Sequence, residues 1–459
     1  MTHQFDPTSL REYDIRGIVG TALGPADAVA IGRGFATRIR EAGGTRVVVG
    51  YDGRLSSPEL EAALVSGLTA GGVDVVRIGL STSPMLYYAE ATLEVDGGIQ
   101  VTGSHNPPEY NGFKMVHAHA PFFGDAIQDL ATLAASGAWS EGAGEVTTAD
   151  VLDAYVGRLM AGFAGGAYRI GWDTGNGAAG PVIEKLVELL PGEHHVIFAD
   201  VDGNFPNHHP DPTEEANLAD LKRLVAAKNL DFGLAFDGDG DRIGAVDGRG
   251  RVIWGDQILS ILVEPALRDH PGAPIVADVK SSQALFDRIV ELGGEPVMAA
   301  TGHSLMKQAM ARTGAPLGGE LSGHLFFAGD YYGFDDAHYA AVRLIRAVHL
   351  SGRSLTALCD AMPALVATPD LRFPVGDARK FVVVDAVIAR LEAEGADVIL
   401  TDGARVTTAD GWWLLRASNT QAMLTVRAEA KDQAALAALL AEVDAQLAAS
   451  GVIRTGRPT

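Results

Sequence analysis

Three aspartates in a short glycine-containing stretch could hold a metal ion. Asp237, Asp239 and Asp241 are separated by single glycines and follow the apolar run at residues 232–236. Alternate residues of an extended loop point to one side, and glycine permits a sharp curve, so the three carboxylates are expected to converge. A ligand set made only of oxygens favours Mg²⁺, Mn²⁺ or Ca²⁺ over zinc. The stretch therefore predicts a site for a divalent cation.

This interpretation has two alternatives. In an EF-hand calcium loop the sixth position would be Arg242 instead of Gly and the twelfth would be Gly248 instead of Glu, so the spacing argues against it. A solvated acidic turn without an ion is the other alternative. Mg²⁺ usually keeps coordination positions for phosphate oxygens, and the adjacent Arg242 supplies a positive charge for the same group. The loop thus favours a partner that carries phosphate.

Ser104 is the candidate nucleophile. Residues 102–107 read Thr-Gly-Ser-His-Asn-Pro and follow the apolar run at residues 98–101. This pattern predicts a strand that ends in a tight loop with Ser104 at its tip. A serine in that position can be reached by a substrate and can carry a covalent group. An ordinary polar turn is the alternative interpretation of these six residues.

Three other stretches, two of which contain glycine, have the composition of phosphate or sugar sites. Residues 301–304 precede a predicted helix, whose first backbone N–H groups could bind an anion. Residues 318–324 combine a carboxylate, a hydroxyl and an imidazole, as the binding of sugar hydroxyls requires. Residues 416–420 join a guanidinium to small donors, which suits a phosphate dianion. Each could be a surface turn on its own, but the chain also places five cations near these turns: Arg16, Lys114, Arg242, Lys280 and Arg416.

A recurring pattern is expected to position these stretches. Short β-branched runs that begin at residues 46, 169 and 275 each meet a turn containing Asp, and a helix with an apolar stripe follows. Three copies spaced by roughly a hundred residues predict three α/β domains of similar build. The last segment differs, since strand-like runs at residues 381–384, 398–400 and 412–416 precede a helix-like run at residues 434–449. It predicts a smaller α+β domain.

Stretches rich in small and polar residues predict where these domains meet. The boundaries fall after residues 149, 250 and 366. The four predicted domains carry the serine loop, the aspartate loop, the 318–324 loop and the 416–420 loop, and they span residues 1–149, 150–250, 251–366 and 367–459.

Composition limits the possible partners and locations. The chain has 459 residues, 47% of them hydrophobic and 20% charged, which is typical of a globular protein of several domains. A formal net charge of -22 argues against nucleic acid or an anionic membrane as the main partner. A single cysteine, Cys359, and the lack of a secretory signal in residues 1–7 predict a cytoplasmic location. The chain contains no long uninterrupted apolar run, so no transmembrane helix is expected.

In this order, the loops at residues 102–107, 237–242, 319–324 and 416–420 resemble those of the α-D-phosphohexomutase family, most closely its bacterial phosphomannomutase/phosphoglucomutase members. The resemblance covers essentially the whole chain. It implies an α/β fold of four domains around a central cleft: three similar α/β domains with mixed sheets and a C-terminal α+β domain. It also implies an intramolecular phosphotransferase that interconverts the 1- and 6-phosphates of mannose and glucose, as a monomer or dimer. The implied cofactors are one Mg²⁺ per chain and hexose 1,6-bisphosphate, as activator and intermediate.

The resemblance also implies roles for individual residues. Ser104 would be the phosphoserine and would share Mg²⁺ with the three aspartates of the 237–242 loop. Arg16, Lys114 and His324 match general acid/base and electrostatic groups. Glu320 and Ser322 would bind the 3- and 4-hydroxyls of the sugar. The residues expected to contact the substrate are Tyr13, Arg242, Lys280, Gly302, His303, Glu320, Ser322, Arg416, Ser418, Asn419 and Thr420.

Two positions depart from the family pattern, and two alternative functions remain. Gly103 stands where Ala is more usual, and Gln421 and Ala422 follow Thr420 where many members have an acidic residue or Thr and then Pro. If only the 3- and 4-hydroxyls are bound, glucose and mannose, which differ at carbon 2, should both be substrates. Phosphoglucosamine mutase is the nearest alternative among enzymes. A non-catalytic protein that binds phosphosugars or Ca²⁺ is the alternative from another class.

Overall fold

The computed structural model of the chain describes residues 2–419 and 421–453. Within those residues the chain forms four sheets, one after another along the sequence. The first three combine parallel and antiparallel strands, whereas the strands of the fourth are antiparallel. The predicted fold class is confirmed: three similar α/β units are followed by a C-terminal α+β unit.

The first unit carries the serine loop. Its elements are β1 (Ile15–Ile18), α1 (Pro25–Glu41), β2 (Arg46–Tyr51), α2 (Ser57–Ala70), β3 (Asp74–Leu80), α3 (Ser83–Thr92), β4 (Gly97–Val101), β5 (Tyr110–His117), β6 (Ala120–Pro121), α4 (Asp125–Ser136) and β7 (Val146–Thr148). The strand order is β1-β5-β4-β2-β3-β7, with β6 beside β5. Strand β4 is parallel to β2 and antiparallel to β5, so the serine loop connects two neighbouring strands.

The second unit repeats this arrangement around the aspartate loop. Its elements are α5 (Leu152–Met160), β8 (Tyr168–Asp173), α6 (Gly180–Leu189), β9 (Gly192–Ile197), a 3₁₀ turn (Glu215–Leu218), α7 (Ala219–Lys228), β10 (Phe232–Phe236), β11 (Ile243–Asp247) and β12 (Val252–Ile253). The strand order is β12-β11-β10-β8-β9. Strand β10 is parallel to β8 and antiparallel to β11, and the aspartate loop connects β10 to β11.

The third unit places the 319–324 loop in the same way. Its elements are α8 (Gly255–Asp269), β13 (Pro274–Asp278), α9 (Gln283–Glu291), β14 (Glu295–Ala299), α10 (His303–Thr313), β15 (Leu317–Gly319), β16 (Leu325–Phe327), α11 (Ala337–Ser351) and α12 (Leu355–Asp360). The strand order is β14-β13-β15-β16. Strand β15 is parallel to β13 and antiparallel to β16. In each of the three units, therefore, a candidate site loop joins a strand with a parallel neighbour to the antiparallel strand that follows it.

The fourth unit is built on an antiparallel sheet. Its elements are β17 (Val366–Ala367), β18 (Leu371–Pro374), α13 (Asp377–Glu394), β19 (Val398–Ile399), β20 (Ala404–Thr408), β21 (Gly411–Ala417), β22 (Met423–Ala430) and α14 (Gln433–Ala449). The strand order is β17-β22-β21-β20-β19, with β18 also paired to β22. The predicted strand at residues 381–384 is wrong, because these residues lie inside α13. Val383, Val387 and Leu391 are buried at helical spacing, so packing overrides the β-branched run.

The buried apolar core ties the first three units together. One cluster of buried side chains extends from Tyr87 through Trp172 and Phe236 to Leu259 and Tyr339. The fourth unit has its own cluster and meets the third through a small one around Val279 and Trp412. Among the described helices, none combines the length and the apolar character that crossing a membrane requires.

Candidate active site

The loops of all four units open onto one cleft with a volume of about 2130 Å³. The three aspartates of the 237–242 loop are fully buried behind its lining. Thr420 lies outside the described residues. The other predicted site residues line the cleft: Tyr13, Arg16, Ser104, Lys114, Arg242, Lys280, Gly302, His303, Glu320, Ser322, His324, Arg416, Ser418 and Asn419.

Ser104 is fixed at the start of the serine loop. Its backbone is in the left-handed region, with φ of 50°, which is uncommon for a residue other than glycine. Its N–H donates to Thr102 Oγ1 at 2.8 Å, and its Oγ donates to Asp237 Oδ2 at 3.0 Å. Arg16 Nη1 donates to Asn106 Oδ1 of the same loop at 2.5 Å. The serine hydroxyl is thus held next to the aspartate loop.

The three aspartates converge, as the sequence predicts. Each offers an oxygen that lies within 4.8 Å of the other two. The loop turns at Gly240, where φ is 74°, and Asp237 Oδ1 accepts the N–H of Asp241 at 3.0 Å. Burial raises the pKa of Asp237 well above its ordinary value, and the charges of Asp241 and Asp239 raise it further. Three buried carboxylates this close together need a positive charge among them.

Lys114 supplies one such charge. Its ammonium donates to Asp239 Oδ2 at 2.7 Å and also to Asp241 Oδ2. Burial lowers the pKa of Lys114, but the two carboxylates more than offset this and hold it well above its ordinary value. Asp239 Oδ1 has no hydrogen-bond partner among residues 2–419 and 421–453, although it is fully buried. The carboxylates therefore keep a free ligand atom, and an all-oxygen set of this kind fits a hard divalent cation.

His324 and Glu320 form a buried pair beside the aspartates. Glu320 Oε1 accepts the N–H of Gly302 at 2.6 Å, and its Oε2 lies 2.7 Å from His324 Nδ1. Ser322 Oγ is 3.0 Å from the same nitrogen, and His324 Nε2 is 3.3 Å from Asp241 Oδ1. Burial lowers the pKa of His324, but Asp241 and Glu320 raise it, with a net value of about 9. The imidazole is therefore a cation at neutral pH.

Tyr13 connects three units at the cleft. Its hydroxyl donates to Thr301 O at 2.7 Å and accepts from Asn419 Nδ2 at 2.5 Å. A Cβ on Gly302, where φ is 137°, would lie 2.4 Å from the Tyr13 ring, so this turn requires glycine.

Burial and the charge of Lys307 lower the pKa of His303 well below its ordinary value. His303 therefore enters the cleft as a neutral imidazole.

Arg416 adds a further cation to the lining of the cleft. Arg416 Nε donates to Asp402 Oδ2 at 2.8 Å, and Lys280 Nζ lies 3.3 Å from Asp370 Oδ2. Lys380, which the sequence did not single out, donates from Nζ to Ser418 O at 2.7 Å and to Gln421 O at 3.2 Å. A lysine in the first turn of α13 thus binds two carbonyl groups of the connection between β21 and β22.

Asp52 and Arg54 are the other residues that the sequence analysis missed. Asp52 Oδ2 accepts the Thr102 hydroxyl at 2.8 Å and the N–H of Gly103 at 3.2 Å. Arg54 donates to carbonyl groups of the serine loop, including that of Ser104 at 2.7 Å. The signal was present, because Asp52 is the aspartate of the first strand–Asp turn repeat. His105, whose Nδ1 lies 3.1 Å from Ser104 Oγ, was read only as part of the loop.

Comparison with known proteins was made at the levels of family, sequence and structure. The chain matches the four domains described as phosphoglucomutase/phosphomannomutase: the alpha/beta/alpha domains I, II and III and the C-terminal domain, over residues 7–139, 155–250, 254–365 and 371–446. A phosphomannomutase/phosphoglucomutase of Pseudomonas aeruginosa is 41% identical over 426 residues, with 92% of each chain covered. A phosphoglucomutase of Neisseria gonorrhoeae is 42% identical, with 93% of this chain and 94% of the relative covered. The crystal structure of a phosphoglucomutase/phosphomannomutase family protein from Burkholderia thailandensis gives a TM-score of 0.93 at 40% identity, with 99% of this chain and 100% of the other covered.

Proposed function

The chain belongs to the phosphoglucomutase/phosphomannomutase family, and we propose that it is a hexose phosphate mutase, which moves a phosphoryl group between positions 1 and 6 of mannose and glucose phosphates. The observation that supports this most strongly is the meeting of Ser104 with Asp237, at 3.0 Å, in a cleft lined by all four units. The relatives named above, which are phosphomannomutases and phosphoglucomutases, favour an enzyme over a non-catalytic binding protein. The phosphoglucosamine mutase alternative is not favoured by the relatives named above.

Mg²⁺ is the proposed metal, one ion per chain. Asp237, Asp239 and Asp241 would hold it, with Ser104 on the same side. The fit is supported by the buried all-oxygen set and by the unpartnered Asp239 Oδ1 among the described residues. When bound, the ion would neutralise charge on the transferring phosphoryl group.

Ser104 would carry the phosphoryl group between two transfers. In the first, the bond between phosphorus and Ser104 Oγ breaks as a bond to the free hydroxyl oxygen of the sugar forms. The departing Ser104 Oγ would take a proton from a protonated group of the cleft, for which Lys114 and His324 are the candidates, and the proton of the sugar hydroxyl would restore that group. In the second transfer, the other phosphoryl group of the resulting hexose 1,6-bisphosphate returns to Oγ and leaves the isomerised monophosphate. The bisphosphate is thus the intermediate, and it would also activate an unphosphorylated chain.

The remaining cleft residues would bind and orient the sugar phosphate. Glu320 and Ser322 would bind the 3- and 4-hydroxyls, and Glu320 is already fixed by Gly302 and His324. Arg416, Ser418, Asn419 and Thr420 would hold the phosphate that does not react, because a guanidinium and small donors match a dianion. The proposed further contacts, on the walls of the cleft, are Tyr13, Arg16, Arg242, Lys280 and His303.

Initial rates on mannose 1-phosphate, glucose 1-phosphate and glucosamine 1-phosphate test the proposal. They are measured side by side with Mg²⁺ and a trace of hexose 1,6-bisphosphate. We expect similar kcat/KM for the first two and a much lower value for the third. Dominance of glucosamine 1-phosphate would overturn the substrate and keep the mechanism, whereas no turnover of any of them would contradict the enzyme.

Several features stay predictions. They are the domain boundaries after residues 149, 250 and 366, a monomeric or dimeric state, the absence of nucleic-acid and membrane partners, and a cytoplasmic location. The net charge of -22 supports the expectation about partners, because a strongly acidic surface repels polyanions.

A further inference from the structure

Arg54 lies directly behind the serine loop, and its side chain is fully buried. Its Nη2 donates to the carbonyl oxygens of Ser104 at 2.7 Å and Asn106 at 2.5 Å. Its Nη1 donates to those of Pro107 at 2.6 Å and Tyr110 at 3.0 Å. One guanidinium therefore binds four carbonyl groups that run from the proposed nucleophile to the start of β5. Arg54 does not line the cleft, so it cannot touch a substrate there.

The serine loop depends on these donors. Ser104 is 2% exposed and has a left-handed backbone, a conformation that costs free energy for a residue with a side chain. Its carbonyl group faces the protein interior, where an acceptor without a donor is also costly. The planar fork of an arginine carries five N–H donors on three nitrogens and can bind four carbonyl groups spread along a loop, whereas a lysine has three donors on one nitrogen.

Arg54 is itself positioned by neighbours on both sides. Its Nε lies 3.2 Å from Asp52 Oδ2, the oxygen that accepts from Thr102 and Gly103. Asp52 thus binds the donor groups of the loop while Arg54 binds its acceptor groups. A Cβ on Gly103 would lie 2.4 Å from Arg54 Nε, so glycine at this position permits the close approach.

The second unit also contacts Arg54. The ring of Phe205 lies 5.3 Å from the guanidinium carbon, within the range of a cation–π contact. A Cβ on Gly203 would lie 2.7 Å from the Cα atom of Arg54, so the 200–205 segment packs closely against it. Arg54 therefore connects the unit that carries the aspartates with the loop that carries Ser104.

We propose that Arg54 is a positioning residue for phosphoryl transfer. It keeps the serine loop in the conformation that holds Ser104 Oγ beside Asp237 and open to the cleft. This inference rests on the proposed mutase function. A role of Arg54 in stability alone would affect only the amount of folded protein. The positioning role instead affects the rate of phosphoryl transfer and leaves the binding of the sugar unchanged.

Arg54→Lys tests the proposal, with Arg77→Lys as the matched control. Arg77 belongs to the same unit, and its Nε donates to Glu61 Oε1 at 2.7 Å, away from the serine loop. Because misplacement of a reacting group by about 1 Å can cost about 100-fold in rate, we expect kcat of Arg54→Lys to fall by about that factor. KM should stay within about threefold of the wild type, since no sugar-binding group contacts Arg54. Arg77→Lys should change neither constant.

Hydrogen exchange of the backbone amides at residues 102–110 gives a second measurement that needs no activity. We expect faster exchange in Arg54→Lys and unchanged exchange in Arg77→Lys. If Arg54→Lys does not fold, Phe205→Leu replaces it and should show the same pattern with a kcat loss of about 3- to 10-fold, as expected from the loss of a cation–π contact of about 1 kcal/mol. Wild-type kcat together with wild-type exchange in the variant would overturn the proposal. If the wild type shows no mutase activity, the proposed function is contradicted. Faster amide exchange in Arg54→Lys would in that case still support the role of Arg54 in holding the serine loop.

Discussion

At the scale of single residues, the site is a set of charges that hold one another in place. Lys114 lies against Asp239 and Asp241, and His324 lies between Asp241 and Glu320. Each cation has at least two carboxylate neighbours and is almost completely buried, so its position is fixed before a substrate enters. Such preorganisation lowers the cost of stabilising the charge that develops during phosphoryl transfer. Ser104 is the group proposed to carry the phosphoryl group, because its hydroxyl lies 3.0 Å from Asp237 and lines the cleft, whereas the carboxylates and cations are paired with one another.

Removal of the Ser104 hydroxyl is expected to abolish turnover. Ser104→Ala should lower kcat by on the order of 10⁴-fold or more, because it removes the hydroxyl that is proposed to accept and return the phosphoryl group. Ser354→Ala serves as the control: its Oγ accepts the N–H of Ala357 at the start of α12, far along the chain from the loop, so stability should fall slightly with kcat unchanged. Steady-state rates with mannose and glucose 1-phosphates measure both. An alanine variant that retained the wild-type rate would remove Ser104 from the mechanism.

At the scale of elements, one buried aspartate follows the first parallel strand of each α/β unit and anchors a loop. Asp52 follows β2 and binds the serine loop, and Asp278 ends β13 and accepts the N–H of Leu321 at 3.1 Å. Asp173 ends β8 and binds His208 of the 200–212 segment through both oxygens, at 3.1 and 3.0 Å. The aspartate of the repeated strand–Asp turn therefore attaches a neighbouring segment to the sheet edge, and in the first and third units that segment is a candidate site loop.

The His208–Asp173 pair gives stability that depends on pH. Burial lowers the pKa of His208, but the hydrogen bond and charge of Asp173, with the charge of Asp220, raise it above its ordinary value of 6.5. A raised folded-state pKa means that the stabilisation is fully present below about pH 6.5 and is lost as pH rises through the folded-state value. His208→Gln should lower the free energy of unfolding by about 1.5–3 kcal/mol at pH 5.5, the usual worth of a hydrogen bond to a charged group.

Urea unfolding of both proteins across pH 5.5–9 checks this. The difference between wild type and variant should narrow as pH rises, because neutral His208 loses its charged interaction. A difference that stayed constant with pH would show that the charge on His208 contributes nothing.

The aspartate loop predicts a requirement for metal. Treatment with EDTA should abolish turnover and added Mg²⁺ should restore it, because three buried carboxylates next to a phosphorylated Ser104 would otherwise repel the phosphoryl group. Thermal unfolding with and without Mg²⁺ gives a measurement apart from activity, and the ion should raise Tm in the wild type and not in Asp239→Asn. Full activity in EDTA would contradict the role of this loop.

The sequence predicts where the candidate site loops lie, but it does not predict the buried residues that hold these loops in place. The loop at residues 237–242 could be recognised because its ligands are neighbours in the chain. Arg54 could not, because its value lies in contacts with residues about fifty positions away. The run at residues 381–384 predicts a strand because it is rich in valine, which favours strands. In the structure it is helical, and the packing of Val383 and Val387 against the fourth sheet accounts for the difference. Long-range contacts, and not local preference, determined both outcomes.

At the scale of the whole molecule, the fourth unit meets the third at a joint where a buried cation lies beside the small apolar cluster of Val279 and Trp412. Arg405, from β20, is fully buried; its Nη1 donates to Val279 O at 2.6 Å and Ser281 O at 2.9 Å. These carbonyl groups flank Lys280, which lines the cleft. The guanidinium also lies 3.8 Å from the centre of the Trp412 ring. Burial lowers the pKa of Arg405 to about 10, so it is still a cation at neutral pH.

Arg405→Met is expected to weaken substrate binding. The methionine would keep the apolar contact with Trp412 and lose the donors to two buried carbonyl groups, at a cost of about 1–3 kcal/mol for each acceptor left unsatisfied. Because Lys280 would lose its fixed position, KM should rise by about 10-fold, or about 1.4 kcal/mol. Arg390→Met is the control, since Arg390 binds Gln446 and Ser450 within the fourth unit. Equal KM values for the two variants would refute a joint that positions Lys280.

The most direct test of the account is a single turnover of the phosphorylated enzyme. The chain is phosphorylated with glucose 1,6-bisphosphate, freed of excess, mixed with one equivalent of glucose 1-phosphate in Mg²⁺, and followed by peptide mass mapping and by assay of the sugar products. In samples quenched early we expect the peptide that contains Ser104 to lose one phosphoryl group as glucose 1,6-bisphosphate appears in equal amount. In samples quenched late the peptide should regain a phosphoryl group as glucose 6-phosphate appears, and Ser104→Ala should show neither event. An enzyme that converted glucose 1-phosphate while Ser104 never carried phosphate, or whose phosphoryl group on Ser104 was never transferred to the sugar, would contradict the account.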